Sequence, residues 1–170
     1  MALLDIVLYP DDPLTQIAEP VDRFTADVEE LAHDMIHTMS TYDGVGLAGP
    51  QVDVAKQIIV LQEPEGEPMC LVNPEITLQG ERVEGEEGCL SLPHIFAIVP
   101  RASRVHVRAY SEKGKRLDFD AEDFLARIIQ HEYDHLQGLV FPDRLDIITR
   151  EDKLQEWEMV RQQLLVAARR

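Results

Sequence analysis

The stretch Gln130-His131-Glu132-Tyr133-Asp134-His135-Leu136-Gln137-Gly138 decides how the chain is read. On an α-helix, residues four apart share a face, so His131 and His135 can direct both imidazoles at one ion. Glu132 then lies at the flank of that ion, where a carboxylate can take a proton from water without coordinating. Phe124, Leu125, Ile128, Ile129 and Leu136 form an apolar stripe through this segment and Gly138 closes it, which predicts a helix with a buried face starting near Ala121. Two histidines aligned by chance would need no such stripe.

Outward from this helix, Ser103 to Tyr110 alternates Val105, Val107 and Ala109 with His106 and Arg108, a half-buried strand, and Lys113-Gly114 turns into a return strand from Lys115 to Asp120. Further upstream, Gln57–Leu61, Met69–Val72, Glu75–Leu78 and Glu81–Val83 read as short strands, the last three cut by Asn73-Pro74 and Gln79-Gly80. Val28, Leu31, Ala32, Met35, Ile36 and Met39 predict a helix from Thr25, with His33 and His37 at its surface. Residues 1–23, broken by Pro10, Pro13 and Pro20, read as extended and carry no visible site. Past Gly138, Leu139 to Pro142 reads as a short strand. A final helix follows from Thr149, with Thr149 and Asp152 as a capping pair and Leu154, Trp157, Val160, Leu164 and Ala168 on one side. The expectation is an α+β fold: antiparallel or mixed sheets packed around the central HExxH helix, a long C-terminal helix, and one domain spanning residues 1–170.

Two further segments bear on the chemistry. Cys89, in Glu86-Glu87-Gly88-Cys89-Leu90-Ser91-Leu92-Pro93, reads alone as an inert buried thiol; with His131 and His135 it completes three protein ligands and leaves a fourth position for water. Tyr42-Asp43-Gly44-Val45-Gly46-Leu47-Ala48-Gly49-Pro50-Gln51 is glycine-rich, yet it lacks a Gly-Lys-Ser/Thr end and runs helix, loop, strand, which argues against a phosphate cradle. A plain turn and a functional loop ending in Gln51 both fit it.

The chain of 170 residues is 45% hydrophobic with a net charge of −16, which excludes nucleic-acid binding through an overall basic field. The first residues lack a basic signal-peptide region and no apolar run reaches membrane-spanning length, so a cytoplasmic protein is expected. Cys70 and Cys89 are expected to remain unpaired.

The segments Gly44 to Gln51, Glu87 to Ser91 and Gln130 to Gly138, in this order and spacing, resemble the three motifs of bacterial peptide deformylases, and the overall layout is similar to the type I branch. The resemblance implies hydrolysis of the N-formyl group from the formyl-methionine of newly made chains, with release of formate. It implies one divalent metal on Cys89, His131 and His135, ferrous iron in the cell, with zinc or nickel able to substitute. Glu132, Gln51 and the backbone N–H of Leu90 are implied as catalytic. Gly44, Val45, Gly46, Glu87, Phe96 and Ile128 are implied to bind an extended peptide. A monomer is expected, with a weak ribosome contact through the Arg169-Arg170 end. Two departures stand out. Ala48-Gly49 replaces the usual pair of alanines and predicts a looser loop; Phe96 stands where relatives often carry a polar or basic residue. The rivals are an HExxH zinc protease drawing its third ligand from Asp143, Asp146 or Glu151, and an inactive relative serving as an interaction module.

Overall fold

The computed structural model describes residues 1–169; Arg170 lies outside the described residues. Helix α1 (Ala26–Thr41) precedes strands β1 (Gly46–Ala48), β2 (Ile58–Leu61), β3 (Met69–Cys89), β4 (Leu92–Tyr110) and β5 (Arg116–Glu122), followed by helices α2 (Asp123–Leu136) and α3 (Ile147–Ala168). The strands form one antiparallel sheet in the order β1-β2-β3-β4-β5, so β1 and β5 are its edges.

Burial explains why β2 is apolar throughout. Ile59 and Leu61 pack with Ile128, Ile129 and Leu136 of α2, while Ile58 and Val60 pack with Ala32, Met35 and Met39 of α1. A strand covered by helices on both faces loses the in-out alternation. Farther along the sheet, Val105, Val107 and Ala109 of β4 face α2, while Arg104 and Arg108 point to solvent. A third cluster joins the start of β4, through Leu92, Ile95, Ala97 and Val99, to Phe141 and Trp157. The Trp157 indole N–H also donates to the Tyr9 carbonyl (2.9 Å), tying α3 to the N-terminal segment.

Four sequence expectations change. The three strands between Met69 and Val83 are one long strand, because Asn73-Pro74 and Gln79-Gly80 are shifts of register within the β3–β4 ladder and not turns out of it. Leu139 to Pro142 is not a strand; a 3₁₀ turn occupies Phe141–Arg144, and the Asp143 carboxylate accepts from Val140 N–H. Helix α3 starts two residues early, capped by Asp146, whose side chain accepts from both the N–H and the hydroxyl of Thr149 (2.9 and 2.7 Å). Phe124 is not core: it stays 43% exposed and lines the cleft described below.

Candidate metal centre and active site

Helix α2 presents His131 and His135 on one face, and the two-residue turn between β3 and β4 brings Cys89 to them. The candidate ligand atoms of the three residues lie within 4.8 Å of one another, and Cys89 Sγ is 3.4 Å from His135 Nε2. One thiol and two imidazoles converging at this range suit a divalent transition metal, which each can bind once deprotonated. His135 is fully buried, and burial, reinforced by repulsion from His131 and Arg101, holds its pKa well below the usual histidine range, so the ring is neutral as a metal requires. Burial also acts to lower the pKa of His131, but hydrogen bonds to Cys89 and Glu87 outweigh it and raise the value well above normal. A cation taking the other ring nitrogen would displace that extra proton while Nδ1–H stays on Glu87, at 2.8 Å.

Glu87 was expected among the peptide contacts, and it does line the cleft. Its carboxylate is engaged elsewhere. It accepts a two-pronged bond from Arg101 (2.9 and 2.9 Å), one from Arg127 (2.7 Å) and the one from His131. Burial opposes ionisation of Glu87, and these bonds overcome it, lowering its pKa to about 2. Arg101 also donates to Asp134 (2.6 Å), which Arg144 holds from the other side (3.0 and 2.6 Å). A chain of alternating charge, Arg144–Asp134–Arg101–Glu87, exposed at Arg144 and buried from Asp134 onward, thus ends on the candidate ligand His131.

Gln51 is oriented by its own turn. It is the third residue of the 3₁₀ turn Gly49–Val52, and its Oε1 accepts from Ala48 N–H (2.9 Å). This fixes the amide so that Nε2 faces Cys89 Sγ (3.4 Å) and Ser91 Oγ (3.2 Å). The glycine loop is therefore a short edge strand followed by a tight turn. Gly49 does not loosen it: a Cβ there would lie 2.8 Å from the carbonyl oxygens of Val54 and Lys56, and its own carbonyl accepts from Val54 N–H (3.0 Å). The N-terminal segment, silent in the sequence, ties both loops from behind, since Val7 N–H donates to Gln51 O (2.8 Å) and Tyr9 N–H to Ser91 O (3.0 Å).

A cavity of about 480 Å³ opens over these residues. It is lined by Gly44, Val45, Gly46, Gln51, Glu87, Cys89, Leu90, Phe96, Ile128, His131 and Glu132, so every candidate site residue meets it except His135, which lies behind. Phe96 is 53% exposed at this cavity. Glu132 is 4% exposed, and its Oε2 has no hydrogen-bond partner. Burial, above all, pushes its pKa to about 7, near the value at which a carboxyl can both take and return a proton; a cation beside it would draw the value down again. Two of the three downstream carboxylates of the protease alternative are used structurally, and Glu151 is exposed. Asp143 holds Arg150 (3.0 Å) and Asp146 caps α3.

The model of the polypeptide deformylase family matches residues 3–151. The chain belongs to this family. Peptide deformylases from Desulforudis audaxviator and Hydrogenovibrio crunogenus are 45% identical over 149 residues and 43% identical over 160 residues. These matches cover 87% and 93% of this chain and 97% and 95% of the two relatives. The crystal structure of the Legionella pneumophila peptide deformylase superposes with a TM-score of 0.90 at 36% identity, covering 99% of both chains. That from Ehrlichia chaffeensis in complex with actinonin gives 0.87 at 36% identity, covering 92% of this chain and 96% of the other. The enzyme is accordingly a peptide deformylase by activity, a metal-dependent hydrolase that removes the formyl group from formyl-methionyl chains. Among the described residues, no helix is long and apolar enough to cross a membrane.

Proposed function

We propose that Cys89, His131 and His135 hold one divalent cation, ferrous iron in the cell, with zinc or nickel able to replace it, and that Glu132, Gln51 and Leu90 complete the catalytic set. The observation that carries this reading is the convergence of three ligand atoms beside a buried carboxyl oxygen with no partner of its own. When bound, the ion supplies a Lewis acid that lowers the pKa of water to about 7. Glu132 accepts the proton of the water that attacks the formyl carbon, then returns it to the amine nitrogen as the C–N bond breaks, which frees formate and the amino terminus. Gln51 Nε2 and the Leu90 N–H donate to the carbonyl oxygen as charge grows there. The peptide lies extended along Gly44, Val45 and Gly46, where the chain enters the edge strand β1, with Ile128 and Phe96 providing apolar contact. Glu87 serves through His131, fixing that ring, and not by touching the peptide.

We infer further that the chain works as a single catalytic domain and a monomer in the cytoplasm, with a weak ribosome contact at the end of α3. The contact is weak because Arg150, Lys153 and Arg161 are paired with Asp143, Glu156 and Asp11, leaving few free cations on the helix.

The test is deformylation of formyl-Met-Ala-Ser by protein purified without oxygen, with metal analysis of wild type, Cys89→Ala and Glu132→Ala. The reading requires activity and about one metal per chain in wild type, metal loss on Cys89→Ala, and retained metal with turnover almost abolished on Glu132→Ala. Metal retained by Cys89→Ala would refute the ligand set, and a metal-free Glu132→Ala would make Glu132 a ligand.

A further inference from the structure

Glu132 raises a question of how it is held. Its Oε2 has no partner, and its Oε1 comes no closer to the neighbouring His131 Nε2 than 3.8 Å. A side chain with a free carboxylate, three rotatable bonds and a reaction to serve needs some restraint, since a misplacement of about 1 Å can cost about 10²-fold in rate.

The restraint is on β1. A Cβ built on Gly46 would meet Oε1, Cγ and Cδ of Glu132 at 2.6, 2.8 and 2.9 Å. The Glu132 chain therefore lies directly against the Gly46 backbone, in space that any other residue would fill. Gly46 is buried and pairs with Leu61 of β2, so the surface it offers is fixed by the sheet. No left-handed backbone angle accounts for glycine at this position; only the close approach does.

We propose that Gly46 is a positioning residue for Glu132: the absent Cβ seats the carboxylate beside the metal ligands by packing, where no hydrogen bond from the protein does. This goes beyond room for a peptide at the same strand, and it rests on the assignment of Glu132 as the proton carrier.

The experiment is a double-mutant cycle of Gly46→Ala and Glu132→Ala in the metal-loaded enzyme, read by kcat, KM, metal content and melting temperature. Gly46→Ala should lower kcat by about 10²-fold, with KM within about two-fold and metal content unchanged. It should lower the melting temperature of wild type but not of Glu132→Ala, where the truncated side chain leaves room for the new methyl group. It should also take nothing further from the residual kcat of Glu132→Ala. The stability arm holds even if Gly46→Ala alone folds poorly, because the double mutant is expected to fold. A rise in KM with kcat retained would overturn the proposal in favour of peptide clearance. Equal destabilisation in both backgrounds would overturn it in favour of a backbone requirement. If instead Glu132→Ala keeps wild-type kcat, the catalytic assignment itself fails, an outcome separate from both.

Discussion

Arg101→Leu is the most informative perturbation outside the cavity lining. Arg101 is 4% exposed and makes three charge-assisted bonds, two to Glu87 and one to Asp134, both of them buried. Removing one partner of a buried ion pair costs about 3–5 kcal/mol, because the remaining charge stays desolvated. Here neither carboxylate is left bare. Glu87 keeps Arg127 and His131, and Asp134 keeps the two bonds from Arg144. The loss should therefore fall at the lower end, about 3 kcal/mol, which for a chain of this size lowers Tm by about 6–12 °C. Metal affinity should fall as well, by about 10–100-fold, since the carboxylate that orients His131 loses its two-pronged support. Urea unfolding of metal-loaded protein measures the first effect, and competition with a chelator the second. Arg101→Lys, which keeps the charge and loses the fork, should lie between. A stability loss below about 1 kcal/mol with an unchanged m value would refute the cost assigned to breaking this buried pair.

Gln51→Leu should lower kcat by about 10²- to 10³-fold with KM and metal content little changed, and Gln51→Glu should also be impaired because an ionised carboxylate offers no donor; steady-state kinetics on a formyl-methionyl peptide checks both. Burial pushes the Cys70 thiol up to about 12, so at pH 8 only about 10⁻⁴ of it is thiolate. Alkylation of chelated enzyme followed by mass spectrometry should find Cys89 modified and Cys70 untouched, and modification of Cys70 at a comparable rate would show that its burial is wrong. Activity in air should decay faster for the iron form than for the zinc or nickel forms, since ferrous iron beside the Cys89 thiolate exposes both to oxidation; equal half-lives would count against iron.

The features legible in the sequence were those whose signal is local. His131, Glu132 and His135 declare themselves by helical spacing, and the apolar stripe fixes which way that helix faces. Phe124 departs from the stripe because it stands in the first turn of α2, beside the cavity. Asn73 and Gly80 carry turn chemistry, but the long β3–β4 ladder absorbs them as shifts, and no short window of sequence reports the length of a ladder. Asp146 caps α3 in place of Thr149 because its carboxylate reaches both the N–H and the hydroxyl of Thr149, three residues on.

The buried ion network was the larger omission, because its partners lie 14 and 33 residues apart and no spacing rule links them. A signal was nevertheless present. Ile95, Ala97, Val99, Val105, Val107 and Ala109 hold the inward positions of β4 at period two, and Arg101 falls in the same register. An arginine in an inward position can be buried only against carboxylates, and the helix packed on that face offers Asp134, inside the metal motif itself. Register on the strand turns Arg101 inward, and the structure finds it bonded to Asp134 there. Glu87, two residues before the candidate ligand Cys89 and paired with the inward-facing Ala97 across the ladder, also faces inward. The charge network and the metal site are therefore set by the same pattern: the alternation that turns Arg101 inward also turns Glu87 toward His131.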